Sequence, residues 1–327
     1  MTIVIAVVVT HNRLELLKEC ITSIRRQTYE PTSIYVIDNL STDGTSEWLA
    51  SEAGLTVFTQ CNTGSSGGQF TGIQKAYENG ADWIWCMDDD TIPSPGALEA
   101  LVNQRLFADE TTGFLCSLVE DSSCKAHPLN LPVLDYAGAD LGIMVFDKIL
   151  PIKSCSFVSV LFRREAVRSC GFPQKEMFIW NDDVEYTQRI RRHFKGYIVL
   201  ESKVFHKTAD QSQSPNCIGV WPVSLKVRCN FRNSILVIKR GPESILLKAA
   251  RILELLKILI AACWQGDGIA PFIVSLKWYI GGIFWDPPIV YPVTIEKTKT
   301  GRRLEETKFG GFGQRLGSSI LNRFPFQ

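Results

Sequence analysis

No two of the ten cysteines, scattered from Cys20 to Cys263, stand at Cys-x-x-Cys spacing. That excludes the usual zinc and dithiol signatures and leaves free thiols, as a reducing cytoplasm keeps them. Neither sign of charge is in excess: 35 Lys/Arg meet 34 Asp/Glu, a net of +1. No overall basic field points to a nucleic-acid partner. The opening residues Met1 to His11 have no basic stretch before the apolar run and no small-residue cleavage site, so they do not read as a secretory signal. Gly-x-x-x-x-Gly-Lys-Ser/Thr is missing, and no Gly-x-Gly-x-x-Gly follows the first strand, so a P-loop and a classical dinucleotide site are out. No Ser/His/Asp or Cys/His pairing is recognisable, and no internal repeat is seen. With 45% hydrophobic and 21% charged residues over 327, the chain is neither disordered nor a disulfide scaffold. It suits one large α/β domain with an appendage, or two domains.

What is present alternates. Ile3–Val9 is a β-branched run that predicts a buried parallel strand, and Ser33–Asp38, Leu55–Thr59 and Trp83–Met87 predict three more. Helical spacing follows the first strand through Leu14, Leu17, Cys20, Ile21 and Ile24. Thr42–Ala53, with Asp43 and Thr45 as capping candidates, and Gly72–Asn79 predict the next helices. Four strands alternating with helices in about 90 residues indicate a mainly parallel, Rossmann-like sheet with helices on both faces. Ligands of such sheets sit beyond the carboxyl ends of the strands, where Thr10, Asp38, Asn62 and Asp88 all fall. Further on, helices are expected from Arg164 to Ser169 and from about Asp183 to His193.

Asp88-Asp89-Asp90 closes the fourth strand. Adjacent carboxylates repel, and a divalent cation such as Mg2+ or Mn2+ makes them tolerable; otherwise they form a solvated acidic turn. In Trp180-Asn181-Asp182-Asp183, Asp183 is expected to cap a helix and Asp182 to lie just outside it, placed to act as a general base. His206, at the end of a short apolar run, is a candidate third metal ligand. The stretch from Asn62 to Gly72 is expected to be a Gly-rich loop opening a helix, where backbone approaches a ligand.

The last third differs. From Leu236 to Gln327 there are 13 Lys/Arg against 7 Asp/Glu, a net of +6, while the rest carries −5. Ile245–Trp264 is apolar except for Lys248, Arg251, Glu254 and Lys257, and Ile269–Trp285 is a second apolar stretch. Neither is a clean span of about 20 uncharged residues. Two helices that lie on a bilayer, or that pack as subdomain core or against a second copy, are expected at 241–327, after a catalytic domain at 1–240.

Taken in order, Val-Val-Val-Thr-His-Asn-Arg, Val-Ile-Asp-Asn-Leu-Ser-Thr-Asp-Gly-Thr, Met-Asp-Asp-Asp and Trp-Asn-Asp-Asp-Val-Glu-Tyr resemble family 2 glycosyltransferases of the GT-A fold, over residues 3 to 240. Asn-x-Gly-x-x-Gly-Gly-x-x-x-Gly, Phe-Ile-Trp-x-Asp-Asp-x-Glu-Tyr and Phe231-Arg232-Asn233 resemble the branch with bacterial galactofuranosyl- and rhamnosyltransferases of polysaccharide and O-antigen assembly. The resemblance implies that Thr10, Asn12, Arg13 and Asp38 hold the nucleotide. Asp38 would meet the uracil or ribose, and Arg13 the diphosphate. Asn62, Gly67 and Gly68 would face the donor sugar. Asp88, Asp89 and Asp90 would serve donor and metal, Asp88 and Asp90 ligating Mn2+ or Mg2+ with His206. Asp182 would be the base and Asp183 would position acceptor hydroxyls. An inverting transfer from a UDP-sugar to a polyprenyl-diphosphate-linked saccharide at the cytoplasmic face of the membrane follows. Gln69-Phe70-Thr71 departs from the aromatic and basic residues frequent in galactofuranosyltransferases, so dTDP-rhamnose stays open as donor. A catalytically inactive sugar-binding scaffold is the alternative of another class. A processive synthase is disfavoured, since no Gln-x-x-Arg-Trp motif is found.

Overall fold

The seven residues of β1 (Val4–Thr10) are all buried, as a strand covered on both faces requires. Ile5, Val7 and Val9 enter one core and Val4, Ala6 and Val8 the other. In this computed structural model, residues 2–136, 147–207, 225–264, 269–298 and 301–305 are described. After β1 come α1 (Leu14–Arg25), β2 (Ser33–Asp38), α2 (Thr45–Ser51), β3 (Leu55–Thr59), α3 (Gly64–Glu78), β4 (Trp83–Asp88), β5 (Thr91–Pro93), α4 (Ala97–Val102), α5 (Arg105–Ala108) and β6 (Thr112–Glu120). The chain continues through β7 (Val133–Leu134), β8 (Ile149–Ser154), β9 (Val160–Arg163), α6 (Arg164–Cys170), α7 (Asp182–Arg191) and β10 (Lys195–His206). Three helices follow, α8 (Leu225–Arg240), α9 (Ile245–Trp264) and α10 (Ile269–Phe284), then β11 (Thr294–Thr298) and β12 (Gly301–Glu305).

Among the described residues ten strands form one sheet in the order β3-β2-β1-β4-β9-β6-β10-β8-β7, with β5 paired to β10. The first four are parallel, as expected. Beyond them the sheet is mixed: β9 runs antiparallel to both β4 and β6. "Mainly parallel" therefore describes only the first part. Leu17, Ile21 and Ile24 of α1 and Leu98 and Leu101 of α4 cover one face. Ile73 and Ala76 of α3, Val167 of α6, and Tyr186 and Ile190 of α7 cover the other.

Of the expected loop from Asn62 to Gly72, everything from Gly64 on is instead the first part of α3, and only Asn62 and Thr63 precede it. Glycine is a poor helix former, and here packing decides. A Cβ at Gly68 would overlap Val9, and one at Gly72 would overlap Val7, so the missing side chains let the helix lie directly on β1.

Packing divides the chain into Met1–Tyr291 and Pro292–Gln327. The expected break near residue 240 is not a break in packing, because α8, α9 and α10 share a core of Phe231, Ile235, Leu259 and Tyr279. After α10 the chain returns to the sheet domain, where Phe172 N–H donates to the Val290 carbonyl (2.8 Å). Pro292–Gln327 contains the hairpin β11–β12. Among the described residues no helix is long and apolar enough to cross a membrane. The eight described cysteines are free, with Cys61 and Cys124 exposed.

Candidate active site

Strand register assembles the first half of the site. Thr10 pairs with Asp38, and Val9 with Asp88, so Thr10, Asp38 and Asp88 share one edge of the sheet. Asp89 is buried and accepts from Thr10 Oγ1 (2.8 Å) and Arg13 Nη1 (3.2 Å). The same guanidinium reaches Asp90 Oδ2 (2.6 Å) while remaining nearly half exposed. Arg13 thus presents positive charge at the strand ends, beside the residues on which the sequence places a diphosphate.

Asp38 is engaged by its own loop. It is fully buried; Oδ1 accepts from Ser41 N–H (3.0 Å) and Oγ (2.6 Å), and Oδ2 from Ser46 Oγ (2.6 Å). Both oxygens shape their own loop. Asn12, in the left-handed region (φ 54°), ties the two loops together. Its N–H donates to Ser41 Oγ (2.9 Å) and its Oδ1 accepts from Thr42 N–H (2.7 Å). Asn62 Oδ1 accepts from Gly64 N–H (2.9 Å) and so caps α3. Gly67 and Gly68 lie within α3, Gly67 against Thr63 and Gly68 against Val9, rather than on a loop open to a sugar. Asp43 caps α1 rather than α2 alone, accepting from Leu14 N–H (3.1 Å) and from Thr45 Oγ1 (2.6 Å).

The second half of the site is the start of α7. Asp182 and Asp183 are its first two residues, and Asn181 (φ 67°) takes the capping position expected of Asp183. Four carboxylates are thereby held above the usual range. Burial, then the charge of Asp90, pushes Asp88 up to about 6. Burial takes Asp89 up to about 7 despite Arg13. Burial and the neighbouring Asp183 raise Asp182 to about 7, with the Ser66 hydroxyl acting the other way. Burial, and among charges Asp88, raises Asp183 to about 6, against a Val184 N–H bond. Asp88 and Asp182 each add to the other side's cost, so the strand end and the helix start face one another. Asp90 behaves oppositely: burial works against its charge, but His206 and Arg13 outweigh it and hold it below the usual range.

The expected ligand set comes together in part. His206 Nε2 lies 3.1 Å from Asp90 Oδ1, while Asp88 turns to the Gln69 amide (3.4 Å). Among the described residues no three His, Cys, Asp or Glu side chains converge as a metal-ligand cluster. The donor chemistry nevertheless fits a divalent ion. His206 Nδ1 faces the Asn130 amide oxygen (2.8 Å) while Nε2 faces Asp90 Oδ1 (3.1 Å), so an imidazole nitrogen and a carboxylate oxygen stand side by side as hard-ion donors. Mg2+ and Mn2+ sites commonly use one or two carboxylates and complete their shell with substrate phosphates.

Two residues outside the expected set, Ser66 and Gln69, line the same space as Asp182. Ser66 Oγ, Gln69 Oε1 and Asp182 Oδ2 are buried and lack a partner of hydrogen-bonding geometry among the described residues. Clustered unsatisfied atoms of this kind mark a place for a polar ligand. Gln69 was visible only as a departure from a motif, and Ser66 only as one small residue in a Gly-rich run.

Comparison with known proteins agrees with this arrangement. The profile described as Glycosyl transferase family 2 matches residues 5–170. A galactofuranosyltransferase, GlfT1, of Mycolicibacterium smegmatis is 29% identical over 201 residues, covering 58% of this chain and 66% of the relative. Its Mycobacterium tuberculosis counterpart is 29% identical over 200 residues, covering 58% and 64%. The matched region thus spans just under two thirds of these relatives' length. Among solved structures, Staphylococcus aureus TarS 1-349 in complex with UDP superposes with a TM-score of 0.56 at 13% identity, covering 86% of this chain and 81% of that one. GalNAc-T7 with UDP, GalNAc and Mn2+ gives 0.58 at 14%, covering 88% and 59%. These neighbours are GT-A proteins, and the sheet with helices on both faces is the GT-A fold.

Proposed function

The chain belongs to glycosyl transferase family 2, and from that premise we propose that it transfers galactofuranose from UDP-galactofuranose, with inversion, to a hydroxyl of a lipid-linked saccharide in cell-surface polysaccharide assembly. The observation that carries the reading is the facing pair of carboxylate groups: Asp88 to Asp90 at the end of β4, and Asp182 and Asp183 at the start of α7. The galactofuranosyltransferase relatives support the donor.

Inverting transfer needs one base and no protein nucleophile. Asp182 is ionised near neutrality yet still basic, which suits removal of the acceptor proton as its oxygen attacks the anomeric carbon. Asp183, beside it, holds acceptor hydroxyls. Arg13 offers a guanidinium to the diphosphate. Asp90 and His206, with Asp88 close by, would hold Mn2+ or Mg2+. The bound ion supplies positive charge to the departing diphosphate.

The acceptor lipid places the protein, in this reading, at the cytoplasmic face of the membrane. On α9, Leu246, Leu253 and Ile260 recur every seven residues and are exposed; on α10, Ile273, Ile280 and Phe284 are exposed. Arg251, Lys257 and Lys277 stand exposed among them. Apolar side chains interspersed with cations, of which Arg251 and Lys257 pair with Glu243 and Glu254, suit an anionic lipid surface.

Turnover with a panel of nucleotide sugars, with and without EDTA, tests the proposal. UDP-galactofuranose should be the preferred donor, EDTA should abolish transfer, and Mn2+ or Mg2+ should restore it. Preference for dTDP-rhamnose would overturn the donor, and full activity in chelator the metal.

A further inference from the structure

Phe178, Trp180 and Asn181, just ahead of the two α7 carboxylates, have φ of 66°, 65° and 67° without being glycine. L-residues adopt this region singly and reluctantly, so a turn with three of them persists only when its surroundings impose it. Those surroundings are α8. Asn233 is fully buried, and its Nδ2 points at the carbonyls of Met177 (3.0 Å), Ile179 (2.9 Å) and Trp180 (2.8 Å). One amide has two N–H groups, so the three carbonyls share them. Arg232 Nη2 donates to the carbonyls of Glu176 (2.9 Å) and Met177 (3.0 Å), and its Nε to Asn233 Oδ1 (3.1 Å). The guanidinium lies over the rings of Trp278 and Trp285, at 5.0 and 4.0 Å. Asn181 donates to Asn230 Oδ1 (2.7 Å) and Ser234 Oγ (3.3 Å). One face of α8 therefore grips the whole turn.

We propose that Asn233 is a positioning residue for the transfer reaction: it touches no substrate, and by holding the left-handed turn it aims the first carboxylates of α7 at the acceptor hydroxyl. The inference rests on Asp182 being the base. Displacing a reacting group by about 1 Å can cost up to about a hundredfold in rate. Asn233 spends its hydrogen bonds on the turn and on Arg232, with none to the ends of β1 and β4, so donor affinity should change less than kcat.

The test uses Asn233→Ala and Asn230→Ala in the full chain, the second keeping the buried amide in case the first fails to fold. Asn233→Ala should lower kcat about ten- to a hundredfold, with the donor KM within about twofold of the parent. Asn230→Ala should lower kcat less, again with an unchanged donor KM. The acidic, rising limb of the pH profile should move, because the carboxylate's surroundings change. Glycine adopts left-handed φ unaided, so Asn181→Gly should restore part of the kcat lost by Asn233→Ala; a merely structural defect would not respond this way. Wild-type kcat in both folded variants overturns the proposal, as does a parallel loss of kcat and donor affinity. Asp182→Asn is run alongside: if it keeps its turnover, the base assignment itself has failed, and the proposal falls with it whatever the alanine variants do.

Discussion

Asp182 combines two properties that pull apart. Its burial raises its proton affinity, which makes it a competent base near neutrality, and the same burial makes its charge costly. Asp182→Asn keeps the shape and removes the basicity, so turnover should fall by roughly 10² or more in steady-state assays. The wild-type kcat/KM should rise with pH and level off above about 7, and the variant's residual activity should lack that limb. Stability should move the other way. The folded-state value lies above the unfolded one, so the group stabilises the fold fully at low pH and loses that contribution as pH rises through about 7. The variant should therefore melt at a higher temperature than wild type at pH 8, with the gap closing towards pH 4. Should Asp183→Asn be inactive and Asp182→Asn normal, the base is Asp183. A reading of residue types located these carboxylates but not their setting. Asp38 shows the limit: an acid at a strand end reads as a ligand contact, and only the positions of Ser41 and Ser46 reveal that it also holds its own loop.

Among the elements, β1 to β4 were legible because β-branched and apolar runs have one stable use, a covered strand, and their observed bounds fall within a residue of the expected ones. Helix α3 was not legible at its start. Three of its fifteen residues are Ser or Thr, four are glycine, and local preference argues for a loop. Contact with β1 overrides that preference, a tertiary effect with no local trace. Gly64 is the most demanding position: its φ is +75°, and a Cβ there would overlap the Phe178 carbonyl oxygen. Gly64→Ala should displace the catalytic turn and abolish turnover, whereas Gly80→Ala, with φ +85° and open space around it, should cost only about 1 kcal/mol of stability from backbone strain. Gly68→Ala should cost about 1–3 kcal/mol through Val9, read as a lowered denaturation midpoint. The aromatic-Arg-Asn element of α8 was visible as a motif, but its grip on a turn some 50 residues earlier depends on helix packing that no local pattern encodes.

Over the whole molecule, the C-terminal helices and their charge were readable from composition, because 20 residues of near-continuous apolar chain must cover something. What they cover is half given by packing: their inner faces close over Phe231 and Ile235, and their outer faces remain open. If the outer face seats on lipid, sedimentation with anionic vesicles should capture the protein at low salt and lose it as ionic strength rises. Leu246→Asp with Leu253→Asp should weaken capture about tenfold or more without lowering turnover on a soluble acceptor. Indifference to anionic vesicles at low salt would sink the membrane reading.

The sheet order also sets a sequence in time. The block β3-β2-β1-β4 closes among residues 4 to 88, whereas β10 pairs with β6 across about eighty residues and with β5 across more than a hundred. Loop-closure entropy delays the distant pairings, so the edge that carries Thr10 and Arg13 should form while His206 is still unplaced. On a ribosome this edge has left the exit tunnel well before β10 is made. Pulsed hydrogen exchange during refolding should accordingly protect Val7 and Val36 before Val204. A nucleotide added early would then find half a pocket, and could act as a template on which the second half of the enzyme completes itself.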